Sequence, residues 1–140
     1  MPSLHEHVDA ANWFARMAVG ILEREQETGE VLGYGIPDFC LKAVEHAVEA
    51  AALTQGVSLH DEYRRHRRFL ASKGVSFHRY RMQWVENNVP EIAEEFRLIW
   101  NSYGQVSYDL RNGERAKRCV AAMRKILQVL GEKYGLPLRV

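Results

Sequence analysis

This chain has almost no cysteine. Its 140 residues hold two, Cys40 and Cys119, each inside an amphipathic helical pattern and neither part of a CxxC pair. That excludes the common zinc and dithiol motifs, and both read as reduced core residues rather than a disulfide. No apolar run approaches the ~18 residues that a membrane span needs, so no membrane partner is expected. The start, MPSLHEHVDAANW, lacks a basic segment followed by an apolar one and does not read as a secretory signal. The expected compartment is the cytoplasm. Net charge is only +1, so any electrostatic preference must come from clustering.

Catalytic signatures are missing too. The six histidines are His5, His7, His46, His60, His66 and His78, and no pair of them forms a HExxH zinc face. There is no GxSxG elbow and no P-loop, and GEVLGYG lacks both the GxGxxG spacing and a preceding strand. Glu45, His46 and Glu49 together could hold a metal, but a polar surface or a satisfied interface group is the simpler reading. No cofactor is implied, and residue chemistry alone does not mark the chain as an enzyme.

Period-two alternation is absent, whereas three-and-four spacing runs throughout. The length and the 46% apolar, 26% charged composition fit one soluble domain over residues 1–140, with a core over about 9–134. A first helix is expected from about Ser3 to Glu27, with Trp13, Phe14, Met17, Ile21 and Leu22 as its apolar stripe. A second runs Pro37–Gln55, with Cys40, Leu41, Val44, Ala47, Val48 and Ala51 inward. Its alanines would let neighbours approach closely, which marks it as the central helix. Ser58 and Asp61 give a capping-box-like start to a third, Leu59–Ser72, with Tyr63, Phe69 and Leu70 inward. A short helix over Ser76–Asn88 follows. Then comes one with Pro90 in its first turn and Ile92, Phe96, Ile99, Trp100 and Tyr103 buried. The last runs from about Gly113 to Tyr134, with Val120, Met123, Leu127 and Leu130 on one face and Gly135 as its stop. The expected fold is an all-α bundle of five to six helices.

Charge is segregated along this pattern. From Tyr63 to Val85 there is no Asp or Glu, while Arg64, Arg65, Arg67, Arg68, Lys73, Arg79 and Arg81 are interleaved with Tyr63, Phe69, Phe77, Tyr80 and Trp84. Arginine with aromatics is the composition that contacts phosphates and stacks on unpaired bases. The same arginines also fit a solvated helix face, pairing with the glutamates of 91–95, or an oligomer interface. A second basic stretch, Arg111-Asn112-Gly113-Glu114-Arg115 with Lys117 and Arg118, opens the last helix.

The segment Asp38–Gly56 followed by Ser58-Leu59-His60, together with the closing stretch Tyr108–Leu130, resembles the HEPN-domain family. The resemblance implies an up-and-down bundle like the nucleotidyltransferase-substrate-binding domains. It also implies a homodimer, and a small nucleotidyltransferase as protein partner in a toxin–antitoxin-like pair. Active members of the family are metal-independent ribonucleases whose motif sets an Arg and, a few residues on, a His. Arg111-Asn112 matches the opening of that motif. Where the His should fall, this chain has Ala116, Lys117 and Arg118. The expectation is therefore a catalytically inactive module that binds RNA or a nucleotide at a dimer groove. It would use Arg111, Asn112, Arg115 and Lys117, extended by Arg64, Arg65, Arg67 and Arg68. The alternatives are a protein-binding scaffold, or a ribonuclease that brings His60, His66 or His78 to Arg111 as a non-standard base.

Overall fold

Helix ends fall where short polar side chains and glycines put them. The computed structural model describes residues 2–30, 35–103 and 111–139, excluding the side chains of Arg111 and Asn112. Helix α1 spans Leu4–Thr28. The Ser3 hydroxyl accepts from the Glu6 amide, and the Glu6 carboxylate accepts from the Ser3 amide, each at 3.2 Å. This capping box satisfies two donors that a helix start otherwise leaves bare. Gly29 ends α1 at φ +73°, a left-handed conformation that costs a glycine little.

Helix α2 (Ile36–Thr54) carries Pro37 and Asp38 in its first turn. Helix α3 (Leu59–Arg65) starts with the Ser58 hydroxyl accepting from the Asp61 amide. Helix α4 (Arg67–Ser72) follows directly, and α5 (Phe77–Asn88) is capped by Ser76. A 3-10 turn, Pro90–Ile92, leads into α6 (Ala93–Ser102), and α7 (Arg111–Tyr134) closes the bundle. The described residues thus form an all-helical bundle of seven α-helices, one more than the expected upper count. The extra helix comes from a break at His66, where Leu59–Ser72 divides into α3 and α4.

Helix α2 is the axis. It packs against α1, α3, α5, α6 and α7, and Ala43, Ala47, Ala50, Ala51 and Ala52 are all fully buried. Small side chains let helix axes close up, so burial is gained by proximity rather than by bulk. Helix α1 runs antiparallel to α2, since His7 meets His46 and Glu49 while Phe14 meets Phe39. Helices α6 and α7 cover the other side with Phe96, Ile99, Met123, Ile126, Leu127 and Leu130. Each large apolar side chain buried here contributes about 1.5–3 kcal/mol by removal from water. Two ion pairs tie the outer edges of these helices, Lys125–Glu95 at 2.5 Å and Lys133–Glu91 at 3.0 Å.

Four expected inward residues turn outward. Trp13 and Met17 are 48% and 37% exposed. The buried stripe of α1 is Val8, Ala11, Ala15, Ala18 and Leu22, because the alanine-rich α2 admits a small-residue face more closely than an aromatic one. Phe69 is 63% exposed, since α4 has no buried residue and, among the described helices, packs only on α3. Tyr103, just past α6, is also exposed. No described helix is long and apolar enough to cross a membrane.

Candidate functional site

Arg64 and Arg65 on α3 and Arg67 and Arg68 on α4 are all exposed. None makes an ion pair with a described residue. Glu91 and Glu95, which could have neutralised them, are engaged by Lys133 and Lys125 of α7 instead. Arg64 and Arg67 border an open groove of about 480 Å³ with His60, Tyr63 and Phe77. Its aromatic wall is ordered: Tyr63 and Phe77 stack with ring centroids 5.2 Å apart and planes 14° from parallel. The Tyr63 hydroxyl donates to the Val75 carbonyl at 3.0 Å, fixing the ring. Arg65 lies on a neighbouring depression beside Asp61 and Glu62, a less basic setting.

The second basic stretch is elsewhere. Gly113 lies against the far end of α1, where a Cβ would come within 3.1 Å of a Glu25 carboxylate oxygen. From His7 to Glu25 α1 rises ~27 Å at about 1.5 Å per residue. Among the described residues, α7 does not pack on α3 or α4. It meets α5 at its opposite end, where Tyr134 faces Trp84 with ring centroids 6.2 Å apart. Within one chain, therefore, Arg64–Arg68 and the start of α7 do not line one groove. Lys117 and Arg118 are exposed, Arg115 is half-buried, and the side chains of Arg111 and Asn112 lie outside the described residues. Ala116, one of the positions where the family motif would hold its His, is fully buried in the core.

Beside the arginine groove is a second cleft, of about 270 Å³, lined by His7, Glu45, His46, Glu49, His60 and Arg81. The sequence offered only Glu45, His46 and Glu49 of this set. Folding adds His7 from α1 and Arg81 from α5. The Arg81 guanidinium donates to Glu49 Oε1 at 2.9 Å and to Glu45 Oε2 at 2.7 Å, and it lies over the Phe77 ring at 3.7 Å. His78 Nδ1 reaches the same Glu45 oxygen at 2.5 Å. The Nδ1 atoms of His7 and His46 are 2.9 Å apart, so one must donate and the other accept. His46 is held nearly parallel to Phe14, planes 9° apart.

His7 is 4% exposed. Its Nε2 lies 3.5 Å from Glu49 Oε2, within ion-pair reach but without a hydrogen bond, and no other described group meets it. If His46 Nδ1–H donates to His7, the His7 Nε2–H points toward that carboxylate. The opposite tautomer would set two lone pairs face to face, so the first is favoured. Burial holds the pKa of His7 below its ordinary value, with help from Arg81 and His60 and against the pull of Glu6. Burial does the same to His46, with His7 and Arg81 adding to it and Glu49 and Glu45 opposing it. Both imidazoles are therefore neutral near pH 7.

The signal for this cluster was present but weak. Glu45 and Glu49 stand one turn apart within an alanine face, and buried carboxylates require partners. Nothing in the sequence indicated that the partners would come from residues 7 and 81. No group of three or more His, Cys, Asp or Glu among the described residues is arranged to hold a metal ion, so the metal alternative for Glu45, His46 and Glu49 gains no geometric support. No protein-family model, no curated protein and no solved structure matches this chain.

Proposed function

We propose that the chain is a HEPN-like helical module that binds RNA or a nucleotide and does not cut it, with its first contact at the groove between α3 and α5. The observation that carries this is the pairing of Arg64 and Arg67, free of carboxylate partners among the described residues, with the stacked Tyr63–Phe77 wall. Guanidinium groups recognise phosphate oxygens with two parallel hydrogen bonds, and aromatic faces accept unpaired bases of any sequence. The start of α7, with Arg111, Asn112, Arg115 and Lys117, would serve as a second, separate contact. The buried Ala116 and the exposed Lys117 favour holding over cutting, because lysine near neutral pH is a poor general base.

Binding of a labelled single-stranded RNA, followed by fluorescence anisotropy across a salt series, tests this. Arg64→Ala with Arg67→Ala is expected to weaken binding by about tenfold or more. It should also reduce the salt dependence by about 0.7 in slope for each phosphate that is no longer neutralised. Unchanged binding in that double variant, with loss in Lys117→Ala instead, would move the site to α7. No salt-sensitive binding at all would end the proposal.

A second reading is a protein-binding scaffold, as a homodimer or with a nucleotidyltransferase-like partner. It draws on the outer face of α1, where the exposed Trp13 and Met17 sit one turn apart beside Gly20. Light scattering of the wild type against Trp13→Glu and Met17→Glu would decide it. A change from dimer to monomer supports this surface, and a monomer in every case counts against the homodimer.

A further inference from the structure

The first two turns of α1 are held to α2 by very little. Of residues 4–10 only His7 and Val8 are buried. Among the described residues, two polar ties join these turns to α2. One is the 2.9 Å hydrogen bond between the Nδ1 atoms of His7 and His46, and the other is the 3.5 Å approach of His7 Nε2 to Glu49. From Ala11 onward the helix is fastened separately, by Ala11, Ala15, Ala18 and Leu22.

An Nδ1–Nδ1 bond counts protons. It needs one hydrogen between the rings, and it cannot survive when both Nδ1 atoms carry one. In the favoured tautomer His46 Nδ1–H donates to His7 Nδ1, and His7 Nε2–H faces Glu49. The one ring nitrogen with a lone pair outside the bond is then His46 Nε2. A first proton can enter there and leave the bridge intact, strengthened by charge. A second must enter at His7 Nδ1, where it would meet the His46 N–H head on.

The surrounding charges treat the two steps differently. Glu45 and Glu49 of α2 face the pair, and Arg81 of α5 answers one of those two negative charges. Glu6 lies on α1 itself and His60 on α3, while Lys42 is bound to Asp38 and His78 to Glu45. The first proton balances the surplus carboxylate. The second adds a buried positive charge that Arg81 opposes, and protonation of His60 or His78 adds to the repulsion. Burial sets both steps below the ordinary ~6.5 of histidine. We propose that His7 and His46 form a two-step proton latch: the first proton leaves α1 docked, and the second releases its first two turns from α2 while the rest of the bundle stays folded. Release withdraws His7 from the cleft and opens Glu49 to solvent. The latch lies apart from Arg64 and Arg67, and its test uses no nucleotide.

Hydrogen exchange and imidazole ¹⁵N spectra of the full wild-type chain, taken in steps from pH 7.5 to 4.5, test it. His46 should charge first, with the amides of residues 8–11 still protected. When His7 charges, those amides should lose protection by about tenfold or more, after correction for intrinsic rate, while α2 and α7 keep theirs. His7→Gln, which cannot take the second proton, should keep residues 8–11 protected at pH 4.5. If that variant does not fold, the order of events in the wild type still decides. The latch is overturned if His7 charges before or together with His46. It is equally overturned if residues 8–11 stay protected once His7 is charged, or loosen only as α7 does.

Discussion

Arg81 is the residue on which the polar interior depends. It bridges Glu45 and Glu49, whose side chains keep only 10% and 4% of their exposure, and it rests on Phe77. Removing it leaves two carboxylates in an apolar alanine face. Breaking such a buried arrangement from one side costs about 3–5 kcal/mol. Arg81→Ala should therefore lower stability by ~3 kcal/mol in urea unfolding, the low end reflecting the partial exposure of Arg81 itself. A loss under about 1 kcal/mol would mean that water reaches both carboxylates. The histidine pair sets a pH dependence of definite sign. His7 and His46 have pKa values below the ordinary ~6.5 when folded, so the unfolded chain binds protons first as pH falls. Their contribution to stability is whole above about pH 6.5 and declines as pH drops toward the lowered native values. Unfolding at pH 7.5 and pH 5.5 should show that loss, and His7→Gln with His46→Gln should reduce it. A wild-type stability that rises on acidification would contradict the burial of this pair.

Elements were legible where one residue type had one use. The apolar faces of α2 and α7 are buried as their spacing indicates, and the Ser58 start of α3 is capped as expected. Helix α1 was legible in extent but not in orientation. Hydrophobic periodicity gives weight to Trp13 and Met17, whereas close packing on α2 selects Ala11, Ala15 and Ala18. The break at His66 has no local signal, because the segment has no glycine or proline there. At the break His66 adopts φ −110° and ψ +15°, and the one long-range tie beside it among the described residues is the Tyr63 hydroxyl donating to the Val75 carbonyl beyond α4. The candidate site was half legible for a similar reason. Arg64 and Arg67 are neighbours along one helical run, but His7 and Arg81 meet Glu49 only across the bundle. The close α1–α2 and α2–α7 approach makes Ala47, fully buried on α2, intolerant of size. Ala47→Leu should cost about 1–3 kcal/mol by overpacking, despite leucine's good helix propensity. A thermal midpoint equal to wild type would show slack in that seam.

For the whole molecule, the basic stretches belong to different ends. Arg64–Arg68 project where α1 begins, and α7 opens where α1 finishes, so one chain presents two cationic regions separated by most of its length. With a net charge of +1, long-range attraction to a polyanion is weak and binding must depend on local contacts. The wrapped position of α2 governs what comes apart first. An amide exchanges with solvent only when its surroundings open, and cooperative units open in order of how little they bury. Helix α4 has no buried residue, whereas α2 is enclosed by five other helices. In deuterium exchange α4 should label first, at low protection, and the α1–α2 hairpin last, near the free energy of global unfolding. The Arg67 side of the groove would then lie on the softest of the described helices, free to adjust to a ligand while the histidine cleft beside it holds its shape.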